Sequence, residues 1–215
     1  MKLNFISPNT KLVLELFSKV KFINDYTLVG DTALAIQLGH RLSEDLDFIF
    51  DGEFLKVKLI KGFIDKKFRG KYKLIKQDND HQLDFIINDV KVTFFTTGSV
   101  LIPFSVKKYS EKFGYVNIAT IEIIAILKIN AITHRNTIRD YYDLYFVSKN
   151  SIPLKKIFDI SRQLLPHIGD LTYSETIVYT DDLNEGTISK HLNPVEIVTK
   201  FEIAEYFTKE IKKIL

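Results

Sequence analysis

Cysteine and tryptophan are both missing from the 215-residue chain, methionine occurs once, proline five times and glycine nine times. Without cysteine there is no disulfide, no thiolate-bound zinc or iron–sulfur cluster, and no thiol nucleophile. That usage suits a reducing compartment, so the cytoplasm is the expected location. So little proline and glycine excludes long flexible linkers and repetitive fibrous organisation. An excess of charge of one sign is also lacking: 30 Lys and Arg stand against 27 Asp and Glu, a net +3, so any basic surface must be local. Residues 1–17 are interrupted by Pro8, Asn9, Lys11 and Glu15 and lack the apolar centre of a signal peptide. The longest greasy stretch, residues 121–132, contains Glu122, Lys128 and Asn130 and falls well short of the roughly 20 apolar residues of a helical span. No membrane partner is expected. The histidines at 40, 81, 134, 167 and 191 show no metal-ligand spacing, and no Ser-His-Asp set or Walker-type glycine loop is present.

What is present is core material: 46% of residues are hydrophobic and 13% aromatic, enough for one large or two small domains. Strands and helices alternate early and helices dominate late, which defines an α/β (α+β) chain. Leu12, Val13, Leu16, Phe17 and Val20 recur at helical spacing behind Asn9 and Thr10, taken as caps. A short strand is expected over 26–29, a helix over 32–38, a second strand over 46–50 and an amphipathic helix over 53–68. Strands follow at 72–75, 83–87 and 90–95, the last two joined by Asn88-Asp89, a pair suited to a tight hairpin. Residues 103–114 read as irregular. Helices then cover 121–133, 138–148, 153–165 and 194–215, with a division near residue 115.

Chemistry concentrates in two segments. The first, residues 28–50, runs strand, Gly30, helix, then Arg41-x-Ser43-x-Asp45-x-Asp47 entering a strand. Gly30 permits close backbone approach, and the amides and Thr32 hydroxyl at the following helix start suit phosphate oxygens. Asp45 and Asp47, two apart on extended chain, point to one side with Cα atoms about 6.5 to 7 Å apart. Such a pair can bracket a divalent cation or simply face solvent near a strand start. In the second segment Lys128 interrupts an apolar helix, where it either snorkels outward or meets an anionic ligand. Asp140 and Asp143 share a face of the next helix, and Thr137-x-x-Asp140 also reads as a capping box.

Together the two segments resemble the AbiEii/AbiGii-type nucleotidyltransferase toxins, a branch of the DNA polymerase β-like nucleotidyltransferase superfamily that includes the MenT toxins. The matching residues are Gly30-Asp31-Thr32, Arg41-x-Ser43-x-Asp45-x-Asp47-Phe48, Lys128, Arg135 and Arg139-Asp140-x-x-Asp143-Leu144-Tyr145. The resemblance implies a polymerase β-like core with a mixed sheet over residues 1–115, and a C-terminal helical region, 116–215, completing the active site. It implies Asp45 and Asp47 as metal ligands and catalytic residues, with Lys128 and Asp140 catalytic beside them. Gly30, Thr32, Ser43, Lys128, Arg135 and Arg139 are the implied nucleotide-binding residues. The implied reaction moves a nucleoside monophosphate from a nucleoside triphosphate to a hydroxyl, with Mg²⁺ or Mn²⁺ as cofactor, an RNA such as the tRNA 3′ end as acceptor, and an antitoxin protein as partner. Asp31 and Thr93 depart from the family pattern, the first where a small residue is usual and the second where larger relatives place a third carboxylate. Asp31 either caps the helix or turns toward the metals, and Asp84 is the nearest acidic strand residue.

Two alternatives remain: a catalytically inactive nucleotide- or RNA-binding regulator, and a nucleotidyltransferase acting on a protein or small molecule. Between Lys56 and Lys76 nine basic residues accompany the single acid Asp65, a patch that reads equally as an RNA dock or a solvated helix face.

Overall fold

The computed structural model describes residues 1–166 and 168–214; His167 and Leu215, the end of the helix expected over 194–215, lie outside them. Two compact units form. The first comprises Met1–Gly39 and Ser43–Thr120, and the second His40–Leu42 with Ile121–Leu215.

The first unit contains α1 (Pro8–Ser18), β1 (Tyr26–Val29), α2 (Gly30–Leu38), β2 (Leu46–Phe50), α3 (Val57–Phe68), β3 (Tyr72–Asp78), β4 (Gln82–Ile87), β5 (Val90–Thr96), β6 (Ser110–Phe113) and β7 (Val116–Ala119). The seven strands make one sheet in the order β3-β4-β5-β2-β1-β7-β6. It is mixed, as expected: β2 runs parallel to β5 and β1 to β7, while the other pairs are antiparallel. Asn88 and Asp89 close the β4–β5 hairpin with φ of 49° and 63°. Both values are left-handed, the signature of the turn whose twist matches paired strands.

Several boundaries differ from expectation for local reasons. Ser7, not Asn9 or Thr10, caps α1: its hydroxyl accepts from the Thr10 amide at 3.1 Å, and Pro8 fills the first helical position, where no amide is needed. The helix expected from residue 53 begins at Val57, because the Leu55 amide instead donates to the Asp80 carbonyl at 2.6 Å. Residues 103–114 are more ordered than they read. β6 and β7 are four residues each, too short to display an alternating pattern, and they turn at Gly114, where φ is +57° and an added Cβ would lie 2.5 Å from the Ser18 carbonyl.

The second unit holds α4 (Ile121–Ile132), α5 (Ile138–Asn150), α6 (Leu154–Leu164), α7 (Asp170–Val178) and α8 (Lys200–Ile211). α4 buries residues all round its axis, including Lys128 and Asn130, the pattern of a central helix. α7 was not anticipated. The long helix expected from Pro194 begins only at Lys200, where Thr199 and Glu202 form a capping box.

The core of the first unit is aromatic. Phe17 is fully buried, its ring centroid 5.3 Å from that of Phe48, 5.4 Å from Phe63 and 5.9 Å from Phe94. These contacts join α1 to α3 and to the two central strands β2 and β5. Phe17→Ala is therefore expected to cost about 3–5 kcal/mol of stability, read as a lower urea midpoint, whereas Leu12→Ala on the exposed side of α1 should change it little.

Candidate active site

Gly30 begins α2 directly after β1 with φ of +69°, and a Cβ built on it would stand 3.2 Å from Asp47 Oδ2. The left-handed backbone favours glycine here, and a Cβ would also crowd the Asp47 carboxylate. Asp47 lies on β2 opposite Val29 of β1 and beside Thr93 of β5. Asp45 precedes the strand, with the buried Leu46 between the two aspartates. Thr32 is buried, and its hydroxyl donates to the Asp45 carbonyl while sharing a 2.7 Å hydrogen bond with Ser43. One proton serves the carbonyl, so Ser43 is the donor to Thr32. Thr32 and Ser43 thus tie the carboxylate turn to the start of α2.

Asp31 occupies the first turn of α2. It is not the helix cap, a position held by Val29. Burial, followed by the like charges of Asp31 and Asp45, raises the Asp47 carboxyl from 3.8 to about 6, with Lys91 opposing. Three carboxylates are close enough to repel, and all their donor atoms are hard oxygens. This chemistry fits a divalent cation of the Mg²⁺ type, although among the described residues no group of three or more His, Asp or Glu is drawn into a ready-made cage. Thr93 stands between Asp47 and Asp84 in the sheet register, and Asp84 accepts from Gln82 at 2.8 Å.

The second unit assembles a buried ionic network. Asp143 is fully buried and accepts from Arg41 through both oxygens, at 2.7 and 2.8 Å, from His40 Nε2 at 2.8 Å and from Lys128 at 2.7 Å. Burial alone would raise its carboxyl, but Arg41, Lys128 and His40 hold it well below the ordinary range. Asp140, 1% exposed, accepts from Lys128 at 2.8 Å, from two nitrogens of Arg135 at 2.9 and 3.1 Å, and from the Thr137 hydroxyl at 2.6 Å. The Thr137 side chain donates to Asp140 and makes no bond to the helix backbone, so the pair is not a capping box. Lys128 neither snorkels nor faces open solvent: it bridges Asp140 and Asp143 and is 3% exposed. Arg135 and Arg139 are exposed.

Lys128, Arg135 and Asp140 are thus brought together within the second unit, as are Gly30, Thr32, Ser43, Asp45 and Asp47 within the first. Arg41 and Asp143 stand in the matching motifs without a role of their own, and His40, which lies beside the first motif, reads from sequence as structural; the buried network joins all three.

A mixed sheet carrying paired aspartates beside a glycine-opened helix places the chain among nucleotidyltransferase folds. The structure is similar over 96% of this chain and 82% of the other to MenT4, a nucleotidyltransferase toxin of Mycobacterium tuberculosis H37Rv, with 13% identity and a TM-score of 0.50. JHP933 of Helicobacter pylori aligns over 97% of this chain and 95% of its own, with 20% identity and a TM-score of 0.46. In sequence, an uncharacterized protein of Aquifex aeolicus (strain VF5) is 29% identical over 194 residues, 89% of each chain. The chain belongs to the AbiEii family, described as the nucleotidyl transferase AbiEii toxin of type IV toxin–antitoxin systems, whose model matches residues 12–215. It is a nucleotidyltransferase, and membership implies a nucleoside triphosphate substrate and an antitoxin partner. Among the described residues no helix is long and apolar enough to cross a membrane.

Two expectations follow from these charges. Asp143→Asn leaves buried cations short of a counter-charge and should lose about 3–5 kcal/mol of stability in urea unfolding. Asp47 takes up its proton at about 6 when folded and near 3.8 when unfolded, so between those values the native state binds more protons. Its contribution to stability therefore falls as pH rises through that window in metal-free buffer. Asp47→Asn should remove this slope, as seen by comparing unfolding midpoints of the two proteins across the window.

Proposed function

We propose that the chain transfers a nucleoside monophosphate from a nucleoside triphosphate to a hydroxyl of RNA, such as the tRNA 3′ end, as a toxin acting in the cytoplasm. The observation that carries this reading is the Asp45–Asp47 pair set against the glycine-opened start of α2 in a member of a nucleotidyltransferase family. The first unit would supply the metal carboxylates and phosphate-binding amides. The second would supply Lys128 and Asp140 to the same reaction.

In the proposed step the acceptor oxygen forms a bond to the α-phosphorus, the α–β anhydride bond breaks, and pyrophosphate leaves. Asp45 and Asp47 would hold Mg²⁺ or Mn²⁺, which when bound supplies positive charge to the phosphates. Amides at the start of α2 would bind phosphate oxygens with the helix dipole behind them. Lys128, with Arg135 and Arg139, would add positive charge against the negative charge that develops on the triphosphate. Four donor contacts already converge on the two Asp140 oxygens. That favours Asp140 as the residue that orients Lys128 over a role as general base.

A second reading has its own observation. Asp31 adds negative charge to the first turn of α2, where a triphosphate would approach, which favours a regulator that binds nucleotide or RNA without turnover. One assay separates them. Purified protein is incubated with Mg²⁺, each α-labelled ribonucleoside triphosphate in turn, and total cellular RNA, beside an Asp45→Ala, Asp47→Ala double variant. Label entering RNA with the wild type and lost with the variant is the expected outcome. Nucleotide binding without labelled product from a folded wild-type protein would favour the regulator, and label on protein would replace the acceptor.

A further inference from the structure

The lysine-rich segment has a shape as well as a charge. β3 is an edge strand, exposed along nearly its whole length. Between it and α3 lies a cavity of about 400 Å³ lined by Lys61, Gly62, Asp65, Tyr72, Leu74 and Phe85. Phe85 is 1% exposed and forms its floor, while Leu74 is 37% exposed at the rim. The Tyr72 ring is held edge-on to Phe85, centroids 6.2 Å apart, and its hydroxyl donates to Asp65 at 3.3 Å.

Along α3, Lys58, Lys61, Gly62, Asp65, Lys66 and Arg69 follow the i, i+3, i+4, i+7, i+8, i+11 spacing of one helix face, the face that lines the cavity. Lys58, Lys66 and Arg69 are exposed. Among the described residues, Lys56 alone of the basic segment forms an ion pair, with Asp25 at 2.5 Å. In the second unit, by comparison, Lys149 pairs with Glu196, Arg162 with Asp159, Lys209 with Glu205 and Lys213 with Glu210, while Lys155, Lys190 and Lys212 are exposed without such a pair among the described residues. Lys66 and Lys67 suit the C-terminal end of α3 through the helix dipole, but that does not account for Lys58 or Lys61 in its first half.

Gly62 is the second independent feature. Glycine inside a helix costs stability, and it is usually kept for a close neighbour. Here a Cβ would meet nothing within 4 Å, so packing within the chain does not require it. Gly62 therefore leaves that wall of the cavity open to a molecule from outside.

We propose that this groove binds a single-stranded segment of RNA, with one base stacked on Tyr72 inside the cavity and flanking phosphates on Lys58, Lys61, Lys66 and Arg69. The inference rests on the RNA reading of the function and adds where the polynucleotide is held. A flat base matches an apolar pocket with one aromatic wall, and a cationic rim matches the backbone on either side. Asp65, the one acid present, repels phosphate from the cavity itself and so favours a base there.

The test is anisotropy of a fluorescein-labelled single-stranded RNA titrated with the full chain at several salt concentrations, with nucleotide binding measured in parallel. Lys58→Glu, Lys66→Glu should lower affinity at least tenfold and flatten the salt dependence of log K by about 1.4 if two phosphate contacts are lost. Tyr72→Ala should weaken binding roughly 5- to 150-fold. Gly62→Leu guards against misfolding as an explanation: it should keep or raise the urea midpoint while lowering RNA affinity. Nucleotide binding should be unchanged in all three. If every variant binds RNA as the wild type does, the groove assignment is overturned and the RNA reading stands. If the wild type binds no RNA, both fall.

Discussion

A carboxylate removed from water stays charged only when cations close around it, and Asp143 meets that condition through residues far apart in the chain. It draws Arg41 and His40, roughly a hundred positions earlier, and Lys128 from α4 onto one side chain of α5. Lys128 then extends the network to Asp140, which Arg135 and Thr137 complete. The arrangement fixes where the Lys128 ammonium points, because each of its two carboxylate partners is itself held by other donors. His40 shows how tight the closure is: with Nε2 donating to Asp143, its Nδ1 is buried without a hydrogen-bond partner among the described residues.

The Arg41-x-Ser43-x-Asp45-x-Asp47 segment therefore serves two structural purposes within seven residues. Arg41 belongs to the helical unit and neutralises Asp143, whereas Ser43 and both aspartates belong to the sheet unit. Ser43 and Thr32 pin the carboxylate turn by hydroxyl bonds, and Gly30 leaves just enough room for the Asp47 oxygen. Repulsion among Asp31, Asp45 and Asp47 is left in place. The buried network does the reverse, setting the Lys128 ammonium between two carboxylates.

Much of this was legible from residue order. Strands 26–29 and 46–50 fall where the apolar runs and Gly30 put them, and Asn88-Asp89 turns a hairpin because both residues tolerate left-handed backbone. The paired aspartates were visible because a period of two on extended chain has one geometric meaning. β6, β7 and α7 were not visible: four-residue strands carry no period, and α7 mixes polar and apolar residues without a clear face. Lys128 was readable as an anomaly, yet its partners were not, since a bond between residues 41 and 143 leaves no trace in local pattern. Asp31 was ambiguous for a related reason, as only the fold decides whether a first-turn carboxylate caps its helix or faces Asp47.

We propose that Asp47 and Asp140 serve the same nucleotidyl transfer. A double-mutant cycle on the transfer rate with Asp47→Asn and Asp140→Asn tests it most directly, using folded proteins matched for nucleotide concentration. Residues that act as a unit are strongly non-additive, so the double variant should be no slower than the worse single one. Rate losses that multiply would show two independent contributions and contradict the account.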